Sequence, residues 1–126
     1  MDYKNYYKQA VEIFEDVKNN ITYYQPEKSL YLLDEAVNKF LKSLLLFYEI
    51  DFDSNSTNEE LIELLENNTT IKLPSFKDFL IDLSYSYCEG GCSTYLNFKE
   101  LPTKFIQPIE DFKEFIIEEI GIYNLE

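Results

Sequence analysis

The chain has no histidine, no tryptophan and no arginine, so that all 11 of its basic residues are lysine. Without histidine there is no imidazole base near neutral pH, no Ser-His or Cys-His nucleophile pair and no imidazole metal ligand. Without arginine there is no bidentate reader of phosphate or guanine, and no guanidinium to steady a transferring phosphoryl group. Nuclease and phosphotransferase chemistry are thereby disfavoured, and the expectation is a protein that is not an enzyme. Glycine (3) and proline (4) are scarce while tyrosine (11) and phenylalanine (10) are abundant, a balance that suits long helices packed through rings better than many short strands. Two cysteines do not make a disulfide framework and fit a reducing compartment. The longest apolar run, Leu44 to Tyr48, is far short of the roughly 20 residues of a membrane span. The opening MDYKNYYKQAVEIFEDVKNN carries charges throughout, unlike a secretory signal, so a soluble cytoplasmic protein is expected.

What is present fits one domain spanning residues 1–126, since 126 residues at 45% hydrophobic content suffice for a single packed core. The formal net charge is −13 and unevenly spread. Asp51 to Glu66 holds six acids and no base, and Ile106 to Glu126 holds six acids against Lys113 alone. Such a field repels nucleic acid and anionic membranes while leaving a basic protein as a fitting partner.

Apolar spacing predicts the helices. Tyr3, Tyr6, Ala10, Ile13, Phe14, Val17 and Ile21 recur at steps of three and four, and Pro26 opens a second helix with Leu30, Leu33, Val37, Phe40, Leu41, Leu44, Leu45 and Tyr48 inside. That second stripe is wide, which places the helix centrally; its polar strip is Glu35, Asn38, Lys39 and Lys42. Thr57 and Glu60 have capping-box spacing for a short third helix carrying Leu61, Leu64 and Leu65. Residues 69–73 read as loop. A fourth helix, capped by Ser75, carries Phe76, Phe79, Leu80, Leu83 and Tyr87, and Pro108 is expected to open the last one, with Ile109, Phe112, Ile116 and Ile120 inward. The fold class is therefore all-α, a four- or five-helix up-and-down bundle.

The stretch SLYLLDEAVNKFLKSLLLFYEIDFDSNSTNEELIELLE, residues 29–66, resembles the second and third helices of HEPN domains. In that family the second helix commonly reads xxAVEKxLKALLxxxG and is followed by a loop and an xxLxxLL helix. Here Asp34 to Leu45 and Asn58 to Leu65 take those places, and IEDFKEFIIEEI is similar to the closing helix. The resemblance implies a small helical bundle, a possible homodimer, and association with nucleotidyltransferases or with defence and toxin–antitoxin proteins. Ribonuclease members carry an Arg followed a few residues later by a His, and this composition makes that pair impossible. The implied role is a non-catalytic protein-interaction module.

Candidate sites are few. Cys88 and Cys92 flank Gly90-Gly91 and are candidates for a local disulfide or thiol-disulfide chemistry, but with no further Cys and no His they cannot complete a metal site within one chain. No metal and no cofactor is expected. Tyr85, Tyr87 and Tyr95 are candidates to line a pocket, their other reading being core edge. Glu59, Glu60, Glu63 and Glu66, with Glu110, Asp111, Glu114 and Glu118, lie at helical spacing. They form either a solvated face or an acidic interaction surface, the latter admitting a nucleic-acid mimic that occupies a basic protein as a decoy.

Overall fold

A computed structural model of the chain describes residues 2–74, 76–87 and 100–126. In order along the chain it contains α1 (Tyr3–Asn19), α2 (Pro26–Phe47), α3 (Asn58–Asn68), α4 (Lys77–Ser84), α5 (Thr103–Ile120) and the single turn α6 (Ile122–Leu125). No strand occurs among the described residues, and the class is all-α.

The first three helices form as their sequences specify. Asp2 caps α1 by accepting the Asn5 N–H at 2.9 Å. Pro26 stands at the start of α2, where its missing N–H leaves no bond unmade. At α3 both halves of the capping box are present, Thr57 Oγ1 accepting the Glu60 N–H and Glu60 Oε1 accepting the Thr57 N–H.

Helix α2 is the hub: it packs against α1, α3, α4 and α5. With α1 it makes an antiparallel pair, Tyr3 meeting Phe47 and Tyr7 meeting Phe40, while the Ser43 hydroxyl donates to the Tyr3 carbonyl at 2.7 Å. With α5 it runs in the same direction, Phe40 meeting Phe112 and Tyr48 reaching Glu119. Helices α3 and α4 form a shorter antiparallel pair, tied at one end by Glu66 and Lys77 and at the other by Glu59 and Tyr85. Alternation of direction thus holds within each pair, and α5 returns alongside α2. Phe14, Phe40 and Phe112 are fully buried at the centre, where truncating any of them to Ala costs about 3–5 kcal/mol.

Four details differ from the sequence reading. First, α5 begins at Thr103, so Pro108 lies inside the helix rather than at its start. Phe105, Pro108, Ile109 and Phe112 share the buried face, and the carbonyl that Pro108 leaves without its helical donor belongs to Lys104, an exposed residue within reach of water. Second, α4 spans only Lys77–Ser84, with no side-chain cap; the expected cap, Ser75, lies outside the described residues. Phe76, Leu80 and Leu83 face inward, whereas Phe79 is 46% exposed. Third, α2 ends with Glu49 at φ 58°, where the Glu49 N–H reaches the Leu46 carbonyl and the Ile50 N–H the Leu45 carbonyl. This paired closure favours glycine at the left-handed residue, and the terminal Gly of the family pattern falls on Glu49.

The fourth difference is Lys42, which the sequence places on the polar strip of α2. It is only 9% exposed, its Nζ donating to the Ser54 carbonyl at 3.0 Å beneath the rings of Tyr6 and Phe52. Burial, and secondarily the charge of Lys39, hold its pKa below the usual lysine value. Its role is to pin the 51–56 connection onto α2, which fixes where α3 starts.

Candidate functional site

Tyr31, Asp34, Glu35 and Asn38 stand at i, i+3, i+4 and i+7 along α2 and so share one face. Because the capping box starts α3 at Asn58, this residue meets that face directly and is 4% exposed. Its amide nitrogen donates to Asp34 Oδ1 at 2.7 Å and to the Asp34 carbonyl at 3.1 Å, while its Oδ1 accepts from Asn38 Nδ2 at 2.9 Å. From the end of α4, Ser84 Oγ donates to Asp34 Oδ1 at 3.0 Å, and the Tyr87 hydroxyl donates to Asp34 Oδ2 at 2.7 Å.

One carboxylate therefore joins three helices, and the cleft around it is lined by Tyr31, Asp34, Glu35, Asn38, Asn58 and Tyr87 among others, with a volume of about 340 Å³. The Tyr31 and Tyr87 rings meet edge to face at 6.1 Å and form its aromatic wall. All three side-chain donors to Asp34 are neutral. None of the ion pairs among the described residues includes it, so its negative charge is hydrogen-bonded but not neutralised.

Of the tyrosines singled out in the sequence, Tyr87 lines this cleft. Tyr85 is 73% exposed and donates to Glu59 Oε1 at 2.9 Å, an acceptor that raises its pKa. Tyr95, Cys88 and Cys92 lie outside the described residues. Three of the four α3 acids have internal partners: Glu59 accepts from Tyr85, Glu60 completes the cap, and Glu66 pairs with Lys77 at 2.6 Å. Hydrogen bonding to Lys77, against opposing burial, holds the Glu66 carboxyl below the usual range. Glu63 is exposed and, with Asp51, Asp53, Glu60, Phe52 and Leu64, lines a second cleft of about 500 Å³. On α5, Glu110 pairs with Lys18 of α1, and Asp111 accepts from Gln107 at 2.9 Å. Asp111, Glu114 and Glu118 line a third cleft beside Phe76 and Phe115.

Asp34, Asn38, Asn58 and Ser84 were not singled out as a site from sequence. The available signal was slight: two small polar residues four apart on a broadly apolar helix, and an Asn directly after an N-cap. The chemistry here is limited, since Ser84 Oγ faces a carboxylate and no imidazole, and among the described residues no lysine lines the cleft to receive a phosphate. Among the described residues no group of His, Cys, Asp or Glu converges to hold a metal ion, and no helix is long and apolar enough to cross a membrane.

The model of the HEPN domain family matches residues 3–120. The match covers nearly the whole helical bundle, and the chain belongs to the HEPN domain family. No curated protein and no solved structure gives a match.

Proposed function

We propose that this HEPN domain is a non-nucleolytic interaction module that binds a basic protein partner. One observation carries the reading: four clefts on the described surface are each lined by at least one carboxylate, and none of the four by a lysine. Carboxylate-lined concavities with low-dielectric walls concentrate negative potential, which attracts cationic side chains and repels the phosphates of RNA. The absence of Arg and His from the sequence removes the family's ribonuclease pair and supports the same reading. A nucleotidyltransferase or a defence or toxin–antitoxin protein is the kind of partner the family suggests, with homodimerisation as a further expectation.

The test is affinity capture from the native host by the wild-type chain and by an Asp51→Lys/Glu63→Lys variant. These positions are chosen because both are exposed, whereas reversing Glu60 or Glu66 breaks a cap or an ion pair and so tests folding. The wild type should retain a basic protein that the variant loses while keeping its helical signal. Equal retention by both, or RNA cleavage by the pure wild type, contradicts the proposal. A second reading, a nucleic-acid decoy, is favoured by one feature: Asp111, Glu114 and Glu118 form an exposed row along α5. It predicts that the partner is a nucleic-acid-binding protein, released by competing duplex and insensitive to the Asp51/Glu63 reversal.

A further inference from the structure

Within the reading of the chain as a binder of basic protein, we propose that the Asp34 cleft receives one lysine ammonium from the partner polypeptide. Asp34 Oδ1 already takes two donors, Asn58 Nδ2 and Ser84 Oγ, and Oδ2 takes one, the Tyr87 hydroxyl. A carboxylate offers about four lone-pair positions. One position, on Oδ2, remains for a visitor, in a carboxylate that no described cation neutralises.

The cleft supplies further acceptors. Among the described residues Glu35, which lines it, takes part in no hydrogen bond or ion pair, and Asn38, whose Nδ2 is committed to Asn58, presents an amide oxygen that accepts no bond. The Tyr31 ring, 44% exposed, forms a wall against which an alkyl stem packs and a cation is attracted. The cleft's volume of about 340 Å³ leaves room for the stem as well as the charge.

This arrangement selects ammonium over guanidinium. A guanidinium gains its advantage by gripping both oxygens of one carboxylate with a planar fork. Here Oδ1 is saturated, so the fork has no second tooth-hold on Asp34. An ammonium is compact and carries three tetrahedral donors, which suit acceptors that belong to separate groups: Asp34 Oδ2, the Glu35 carboxylate and the Asn38 amide oxygen. A phosphate or carboxylate ligand is disfavoured by Asp34 and Glu35, and no lysine lines the cleft among the described residues.

The test is a titration of the ¹⁵N-labelled full chain with n-butylammonium at low salt, followed by amide shifts, with n-butylguanidinium and butanol as comparison probes. Saturable shifts are expected at Tyr31, Asp34, Glu35, Asn38, Asn58 and Ser84, with the guanidinium weaker and butanol without effect. Asp34→Asn should weaken the ammonium about tenfold, the worth of one charge-assisted contact. If that variant unfolds, Glu35→Gln and Tyr31→Leu, which lie outside the Asp34 hydrogen bonds, should each weaken it several-fold. Shifts scattered equally over the α3 and α5 acids, equal binding of the guanidinium, or binding unchanged in these variants overturns the inference. Failure of butylammonium to bind, with the basic partner still captured by the wild type, also overturns it and leaves the proposed function standing. Site-specific ammonium binding with no basic partner captured upholds the cleft's chemistry and removes the partner reading.

Discussion

Replacing Asn58 by Ala removes a side chain that is 4% exposed and makes three hydrogen bonds between α3 and α2. Two of them, to the Asp34 carbonyl and from Asn38, are neutral and contribute about 1 kcal/mol each; the third, to the Asp34 carboxylate, contributes about 1.5–3 kcal/mol. The bonds are coupled through one residue, so their sum is an upper bound, and a loss of about 3 kcal/mol is expected. That is a large share of the roughly 5–15 kcal/mol that holds a domain of this kind together. Urea unfolding followed by the helical signal should report it, together with a fall in Tm of about 10 °C. The isosteric Asn58→Asp separates hydrogen bonding from shape. It replaces a donor to Asp34 by a second carboxylate, so at neutral pH it should cost more than Ala. A loss below about 1 kcal/mol for Asn58→Ala, or an Asn58→Asp deficit smaller than that of Asn58→Ala, refutes the view that the Asp34 network joins the helices.

Three further outcomes follow from single positions. Glu49→Gly, at φ 58°, should stabilise the domain by about 1 kcal/mol in the same urea assay, since glycine takes the left-handed conformation without the cost borne by a residue with a Cβ. Lys42→Met should be within about 1 kcal/mol of wild type at neutral pH, because the lost bond to the exposed Ser54 carbonyl is offset by removing a desolvated charge. The folded pKa of Lys42 is lowered, so its penalty is full at neutral pH and is relieved as pH rises toward the ordinary 10.5; wild type should gain on the variant over that window. Burial, and then its bond to Glu119 at 2.6 Å, push the Tyr48 phenol up to about 12. The stability it contributes is complete below the ordinary phenol value and lost as pH rises through about 12, and Tyr48→Phe should lack this loss when unfolding is measured across alkaline pH.

The legible parts of the fold were those encoded locally. Three-and-four spacing located α1 and α2, and Thr57 with Glu60 located the start of α3 within a residue. Pro108 misled because proline is most often a first-turn residue; Phe105, one turn before Ile109 on the same buried face, is the signal that α5 begins earlier. Lys42 falls on the polar strip of α2 because its polarity is visible in sequence, while the Tyr6 and Phe52 rings that cover it come from elsewhere in the chain. The Asp34 network is the clearest case of information that periodicity does not carry. Its members at 34, 58 and 84 sit on three helices and that at 87 lies just beyond α4, and only packing brings them together. Tyr87 alone was legible as a pocket residue. Likewise, Glu59, Glu60 and Glu66 looked like a uniform acidic face, and the structure distributes them among a tyrosine, a backbone N–H and a lysine.

The central claim, that carboxylate-lined clefts on a HEPN bundle bind a basic protein, is tested most directly by the salt dependence of affinity for the captured partner. Binding by the wild type should weaken steeply as ionic strength rises, and the Asp51→Lys/Glu63→Lys variant should bind weakly at every salt concentration. Affinity indifferent to salt and unchanged in the variant contradicts the account.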